Sequence, residues 1–255
     1  MGARREARRA LAAAGIRPRK RWGQHFLCDP GVARHIAETA EIGPRSVVLE
    51  IGPGLGALSD ELVARAGRVY LVEIDRALAA RLAELVPERG ATVVANLPYS
   101  IASPILFRLL DLRAHFPRAV LMLQREMAHR LAARPGTRDY GVASVLVQAF
   151  AQVRIAFRVS RRSFLPVPEV DSAVVDVRWS PAPRADVGDV AAFRAVVRAA
   201  FGQRRKMLRN ALGALAAARG LTAEEACARA GVDPATRAER LDLAAFARLA
   251  RALGA

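Results

Sequence analysis

The stretch VVLEIGPGLGALSDEL, residues 47–62, decides the fold. It opens on an apolar run of buried-strand type, which Gly52-Pro53 closes. Gly52, Gly54 and Gly56 let the backbone turn sharply and approach a ligand closely, and a helix is expected over 55–66, ending at Gly67. Outward from there, RVYLVEI (68–74) reads as a second strand, DRALAARLAELV (75–86) as a helix opened by Asp75, and TVVAN (92–96) as a third strand. A helix near 103–114, a strand near 118–123 and a helix near 125–133 follow, and upstream Asp29 and Pro30 mark the start of a helix over 29–41. This alternation predicts an α/β layered fold with a mainly parallel, Rossmann-like sheet. QVRIAFRV (152–159) and SAVVDVRW (172–179) are expected as a late antiparallel pair at the sheet edge, and SPAPRADVGD (180–189) as a break. Beyond it the pattern is helical, so two domains are expected, 1–182 and 183–255.

Composition narrows the partners. The chain is 53% apolar over 255 residues, enough to bury a sizeable core, and no run approaches the ~20 apolar residues of a membrane span. No signal-peptide segment opens it, and two distant cysteines, Cys28 and Cys227, make no disulfide framework, so a cytoplasmic protein is expected. No Cys/His cluster has zinc spacing, and no metal is expected. The net charge of +16 favours a polyanion, with nucleic acid the commonest. The first 25 or so residues read as a basic arm, with eight basic groups and one acid in residues 1–21. A second basic cluster is Arg204, Arg205, Lys206 and Arg209.

Glu73 lies 21 residues beyond Gly52, where an acid takes the ribose hydroxyls of a nucleotide. Residues 52–57 also satisfy the looser dinucleotide pattern, so the loop alone leaves both a nicotinamide cofactor and S-adenosylmethionine open.

The strand 92–96 ends in Asn96-Leu97-Pro98-Tyr99. Ligands of open α/β sheets sit beyond the carboxyl ends of the strands, so Asn96 is expected in the same crevice as Gly52 and Glu73. Its amide oxygen and nearby carbonyls are neutral acceptors suited to an exocyclic amine. Pro98 biases Leu97 to an extended conformation and brings no competing N–H, and Tyr99 offers a ring on which a base can stack.

With these residues placed, the chain resembles the KsgA-type ribosomal RNA adenine N6-dimethyltransferases. RKRWGQHFLCD (19–29), LEIGPGLGALS (49–59), VEID (72–75), NLPYSIASPILF (96–107), FLPVPEVDSAVV (164–175) and FGQRRKMLRNAL (201–212) carry the resemblance, in the family's order. It implies a class I methyltransferase sheet with a small C-terminal all-helical, rRNA-binding domain. It also implies transfer of methyl groups from S-adenosylmethionine to N6 of two adjacent adenosines near the 3′ end of small-subunit rRNA, in a pre-ribosomal particle and by a monomer. Carried over, His25 and Leu27 line the cofactor pocket, Gly52 and Gly54 form its loop and Glu73 holds the ribose. Asn96, Leu97, Pro98 and Tyr99 form the catalytic motif, with Asn96 also beside the cofactor and Phe164 as a second stacking face. Arg19, Lys20, Arg21, Arg204, Arg205, Lys206 and Arg209 would grip the RNA.

His25 stands where the family motif often has Asn. The larger departure lies between Asp75 and Asn96, where the family pattern has a further strand, an acidic loop residue and a helix, roughly twenty-five residues more. The sheet is therefore expected to lack its outer strand, leaving 68–74 at the edge and weakening cofactor affinity. Three alternatives stay open: an assembly factor with weakened or lost activity, a large-subunit rRNA methyltransferase conferring antibiotic resistance, and a nicotinamide-dependent dehydrogenase. The basic tail disfavours the second; Asn96-Leu97-Pro98-Tyr99 and the charge disfavour the third.

Overall fold

A computed structural model describes residues 2–13, 24–73, 82–98, 101–203 and 205–254. The chain divides into two compact units, 1–128 with 152–181 and 129–151 with 182–255.

The first unit is built on a six-stranded sheet of order β3-β2-β4-β5-β8-β6. Its strands are β2 (Val47–Ile51), β3 (Arg68–Val72), β4 (Thr92–Asn96), β5 (Arg118–Gln124), β6 (Ala151–Val159) and β8 (Ser172–Trp179). β2 pairs in parallel with β3 and β4, β4 in parallel with β5, and β8 runs antiparallel to β5. β3 is the outermost strand on its side, as the short connection after Asp75 led us to expect. A separate two-stranded ribbon joins β1 (Phe26–Leu27) to β7 (Phe164–Leu165). The helices of this unit are α1 (Gly2–Ala13), α2 (Pro30–Thr39), α3 (Ser59–Val63), α4 (Leu82–Leu85) and α5 (Ala102–Asp111), and Arg125–Ala132 (α6) carries the chain into the second unit. The arm expected at the N-terminus is therefore helical over 2–13, while most of the helix expected over 75–86 lies outside the described residues.

Alternation along the strands sends every second side chain to one face. Val48, Val94, Val120, Met122 and Val174 share a buried cluster with Ala33, Ile36 and Ala37 of α2 and Leu62 of α3. Asp29 caps α2 as its sequence suggested, its Oδ1 accepting from the backbone N–H groups of Gly31 and Val32.

The far end of α2 is clamped to the sheet by Arg118. Its guanidinium donates to Thr39 O at 2.7 Å and Ala40 O at 2.9 Å, carbonyls that the helix itself leaves without partners. The same group meets Asp176 Oδ1 at 3.0 Å and Glu41 Oε2 at 2.9 Å. Burial alone would raise the Asp176 carboxyl, but Arg118 and Arg178 outweigh it and hold that pKa below the ordinary range.

The second unit comprises α7 (Val142–Gln148), α8 (Val190–Gly202), α9 (Leu208–Ala211), α10 (Gly213–Ala217), α11 (Ala223–Ala230) and α12 (Leu243–Gly254). Phe193, Val196, Val197, Leu212, Phe246 and Leu249 are buried here, and the Phe201 ring stacks on Phe246 at 5.7 Å. A Thr222–Glu225 capping box starts α11, and Gly231, with φ 61°, ends it in the left-handed conformation. No described helix is long and apolar enough to cross a membrane.

Two buried charges set expectations for stability. Arg118→Ala leaves Asp176 to the exposed Arg178 and Arg154, strands two helix carbonyls and is expected to cost about 2–3 kcal/mol in urea unfolding. Because the folded Asp176 pKa is depressed, its contribution is complete above the usual Asp value and disappears as pH falls through the folded one. Glu50 of β2 acts in the opposite direction. It is 1% exposed and its pKa is pushed up to about 7, chiefly by burial. A raised acid favours the fold below its unfolded pKa of about 4.3 and loses that contribution as pH rises towards 7. Glu50→Gln removes the titration, so its unfolding free energy relative to wild type should climb by about 3 kcal/mol between pH 4 and pH 8. A flat difference would place the Glu50 carboxyl in contact with water.

Candidate active site

The register of three parallel strands assembles the site. Ile51 of β2 pairs with Val72 of β3 and with Ala95 of β4. The next residue on each chain is Gly52, Glu73 or Asn96, so these three lie side by side at the carboxyl ends. Gly52 N donates to Val72 O at 2.8 Å, carrying the pairing one step past the strand.

Gly52, Gly54 and Gly56 have φ of 75°, 56° and 84°. Three left-handed residues in quick succession cannot lie in a right-handed helix, so α3 begins only at Ser59, not near 55 as its sequence suggested. The loop itself, rather than a helix end, turns its backbone towards the site. Gly54 N donates to Glu73 Oε1 at 3.2 Å, tying the glycine loop to the acid of the neighbouring strand. A Cβ on Gly54 would stand 3.1 Å from Cδ1 of the Phe26 ring, in a conformation that L side chains rarely adopt. Below the loop lies Glu50, whose Oε2 is buried with no hydrogen-bond partner. Ser59 lowers its pKa somewhat, while Asp60 and Glu73 add to the rise caused by burial.

The β1–β7 ribbon forms a strap beside these strand ends. Leu27 pairs with Phe164 and Phe26 with Leu165. His25, just before the ribbon, links it to the sheet. Its carbonyl accepts from Asn96 Nδ2 at 3.2 Å, and its Nδ1 lies 2.8 Å from Pro166 O. A carbonyl only accepts, so Nδ1 carries the proton of that bond. Held at Nδ2, the Asn96 amide keeps Oδ1 as its acceptor.

Of the residues singled out from sequence, His25, Leu27, Gly52, Gly54, Glu73 and Asn96 meet here. Leu97 is buried and donates its N–H to Met122 O at 3.2 Å, and the Pro98 carbonyl accepts from Ile101 N at 3.1 Å. Phe164, named as a stacking face, is 1% exposed and packs in the core cluster with Leu27, Ile36 and Val174. Its ring therefore backs the strap and presents no open face. Tyr99, Arg19, Lys20, Arg21 and Arg204 lie outside the described residues. Arg205, Lys206 and Arg209 are exposed in the second unit and meet no carboxylate among the described residues. No group of three potential metal ligands occurs among those residues. Glu50, Phe26 and Pro166 were not singled out from sequence. The signal for Glu50 was there: an acid inside VVLEI, two residues before the first glycine.

A family model described as "Ribosomal RNA adenine dimethylase" matches residues 15–91 and 85–254. The chain is 43% identical over 270 positions to "Ribosomal RNA small subunit methyltransferase A" of Moorella thermoacetica (strain ATCC 39073 / JCM 9320), covering 94% of this chain and 93% of that one. It is 46% identical over 269 positions to the protein of the same name from Anaeromyxobacter sp. (strain K), covering 94% of each. Among solved structures it is similar to a dimethyladenosine transferase from Plasmodium falciparum. The TM-score there is 0.70 at 25% identity, covering 88% of this chain and 96% of that one. The 23S rRNA methyltransferase ErmE follows with a TM-score of 0.62 at 29% identity, covering 90% and 100%. The Moorella alignment runs over 270 positions yet takes in 94% of a 255-residue chain, so part of the relative has no counterpart here. The two family-model matches meet at 85–91, inside the stretch between Asp75 and Asn96 that reads as shortened. A family match over nearly the whole chain, relatives above 40% identity and a glycine loop, acid and Asn96 on adjacent strand ends all agree: the chain belongs to the ribosomal RNA adenine dimethylase family.

Proposed function

We propose that this protein transfers methyl groups from S-adenosylmethionine to N6 of two adjacent adenosines near the 3′ end of small-subunit rRNA, two to each, in a pre-ribosomal particle in the cytoplasm and as a monomer. The observation that carries the reading is the Asn96 amide, fixed at Nδ2 by the His25 carbonyl beside the glycine loop and Glu73.

The residues present fit the cofactor. Gly54 leaves no room for a side chain, so the backbone lines that wall. Glu73 stands exposed at the end of β3, placed to accept from ribose hydroxyls. The unpaired Oε2 of Glu50 suits a ligand that brings N–H donors or positive charge. His25 and Leu27 would line the remaining side. When bound, S-adenosylmethionine supplies an electrophilic methyl group.

The chain's own work is positioning. An aromatic amine shares its lone pair with its ring. Asn96 Oδ1 and a neighbouring backbone carbonyl would accept its hydrogens and turn the lone pair towards the methyl group. Pro98 has no N–H to compete, and Tyr99 would stack on the flipped adenine, with Phe164 holding the strap from beneath. Neutral acceptors suffice, because the proton leaves after transfer and no strong base is needed first. A base must leave its stack to be reached, which places the reaction on an accessible or flipped nucleotide. Arg19, Lys20, Arg21, Arg204, Arg205, Lys206 and Arg209 would contact the RNA backbone. The domain of residues 1–182 would hold the cofactor and that of 183–255 the RNA.

Radiolabelled methyl transfer to undermethylated small subunits tests the reading. Wild type should produce labelled dimethyladenosine, and Asn96→Ala should lower kcat by about 10²–10³-fold while leaving subunit binding intact. Absence of label from wild type would refute the activity. A second expectation follows from β3 being outermost among the described residues, with the two family-model matches meeting at 85–91 in the connection between β3 and β4. Calorimetric titration should give S-adenosylmethionine binding weaker than micromolar; ordinary micromolar affinity would show that the remaining walls suffice.

A further inference from the structure

We propose that one face of α1 is an RNA-backbone docking surface that continues directly from the strap of the active site. The inference rests on the rRNA reading above and names residues that reading leaves unassigned: Arg5, Arg8 and Arg9.

α1 is seated on β7. Leu11 is buried, and Arg4 donates from its guanidinium to the carbonyl of Phe164 at 3.2 Å. Arg4, Arg5, Arg8 and Arg9 occupy adjoining positions on the helix surface, at spacings of one and four residues. Helical spacing turns Arg4 nearest the buried stripe and fans Arg8, Arg5 and Arg9 progressively outward. All four are exposed, and Arg5, Arg8 and Arg9 meet no carboxylate among the described residues.

Helix stability does not explain this placement. Arg4–Arg8 and Arg5–Arg9 are like-charge pairs four residues apart, which oppose helix formation. The last turn of α1 has no base, and Arg4 and Arg5 lie in its first turn, which has no acid. That is the end where the helix dipole disfavours positive charge. A row of phosphates laid along this face would relieve both repulsions. Phe164 is two residues from Pro166, whose carbonyl holds His25 and through it Asn96. Docking at α1 would therefore fix the RNA strand within reach of the site. Arg162, exposed on the turn just before Phe164, adds a further cation beside the same strap.

The test uses the full chain and undermethylated small subunits. Arg5, Arg8 and Arg9 are replaced together by Gln, which keeps helix propensity, and a control replaces the exposed Arg45, Arg89 and Arg219, removing the same charge elsewhere. Filter binding is measured across a salt series, and methyl transfer across subunit concentration. For the α1 variant, the slope of log affinity against log salt should become shallower by about 2, and KM should rise about tenfold. Its kcat at saturating subunit should stay at the wild-type value. The control should change neither slope nor KM comparably. An α1 variant indistinguishable from wild type overturns the inference, as does a control with the same effect, since bulk charge would then explain both. Failure of wild type to bind subunits also overturns it. Binding that responds to α1 without methyl transfer would uphold the docking surface and sink the proposed activity instead.

Discussion

The site depends on the parallel register of β3, β2 and β4. Ile51 faces Val72 on one side and Ala95 on the other, so the chain leaves all three strands at one level. A parallel pair displaced by one residue would turn every side chain to the opposite face. Asn96 would then lose the His25 carbonyl, and Glu73 would move away from Gly54 N. The apolar residues that hold the register are also the core: Val48, Val94 and Val120 pack under α2. Burial therefore aligns three polar groups that make little contact with one another.

Two clamps hold what the sheet alone does not. At the amino end of β5, Arg118 joins the last carbonyls of α2 to Asp176. At the carboxyl end of β4, His25 joins Asn96 to the strap. The first is a charged pair largely withdrawn from water, strong because the same guanidinium also satisfies two helix carbonyls. The second uses backbone carbonyls, an amide and a ring nitrogen, with no carboxylate or guanidinium. That suits its place, because a fixed charge beside the amide would compete with an incoming amine for the one acceptor the amide keeps.

Elements with long periodic patterns were legible in the sequence. β4 and β8 span the residues that their patterns marked, and α2 begins at the Asp29 cap that its sequence announced. The misreadings have physical causes. α3 is shorter than expected because three left-handed glycines postpone helical geometry until Ser59. β1 and β7 are two residues each and exist only through their pairing, which no local pattern encodes. α1 was read as a charged arm because its arginines obscured an Ala-rich helix with Leu11 on its inner side. Phe164 looked like an open ring because a motif records residue type, not the side on which the core closes.

The shortened connection before β4 shows which parts of such a site are separable. Gly52 and Asn96 are placed by β2 and β4, both interior strands held on two sides. Glu73 is placed by β3, which among the described residues has a neighbour on one side only and leaves Leu71 51% exposed. Nearby, Glu88 of the turn leading into β4 accepts from the Tyr70 hydroxyl at 2.8 Å, bracing the strand from the connection that follows it. An edge strand frays more readily than an interior one, so variation in this region acts first on Glu73 and last on the Asn96 amide. Change at this edge therefore moves Glu73 before it disturbs the Asn96 amide, which β4 and the His25 carbonyl hold.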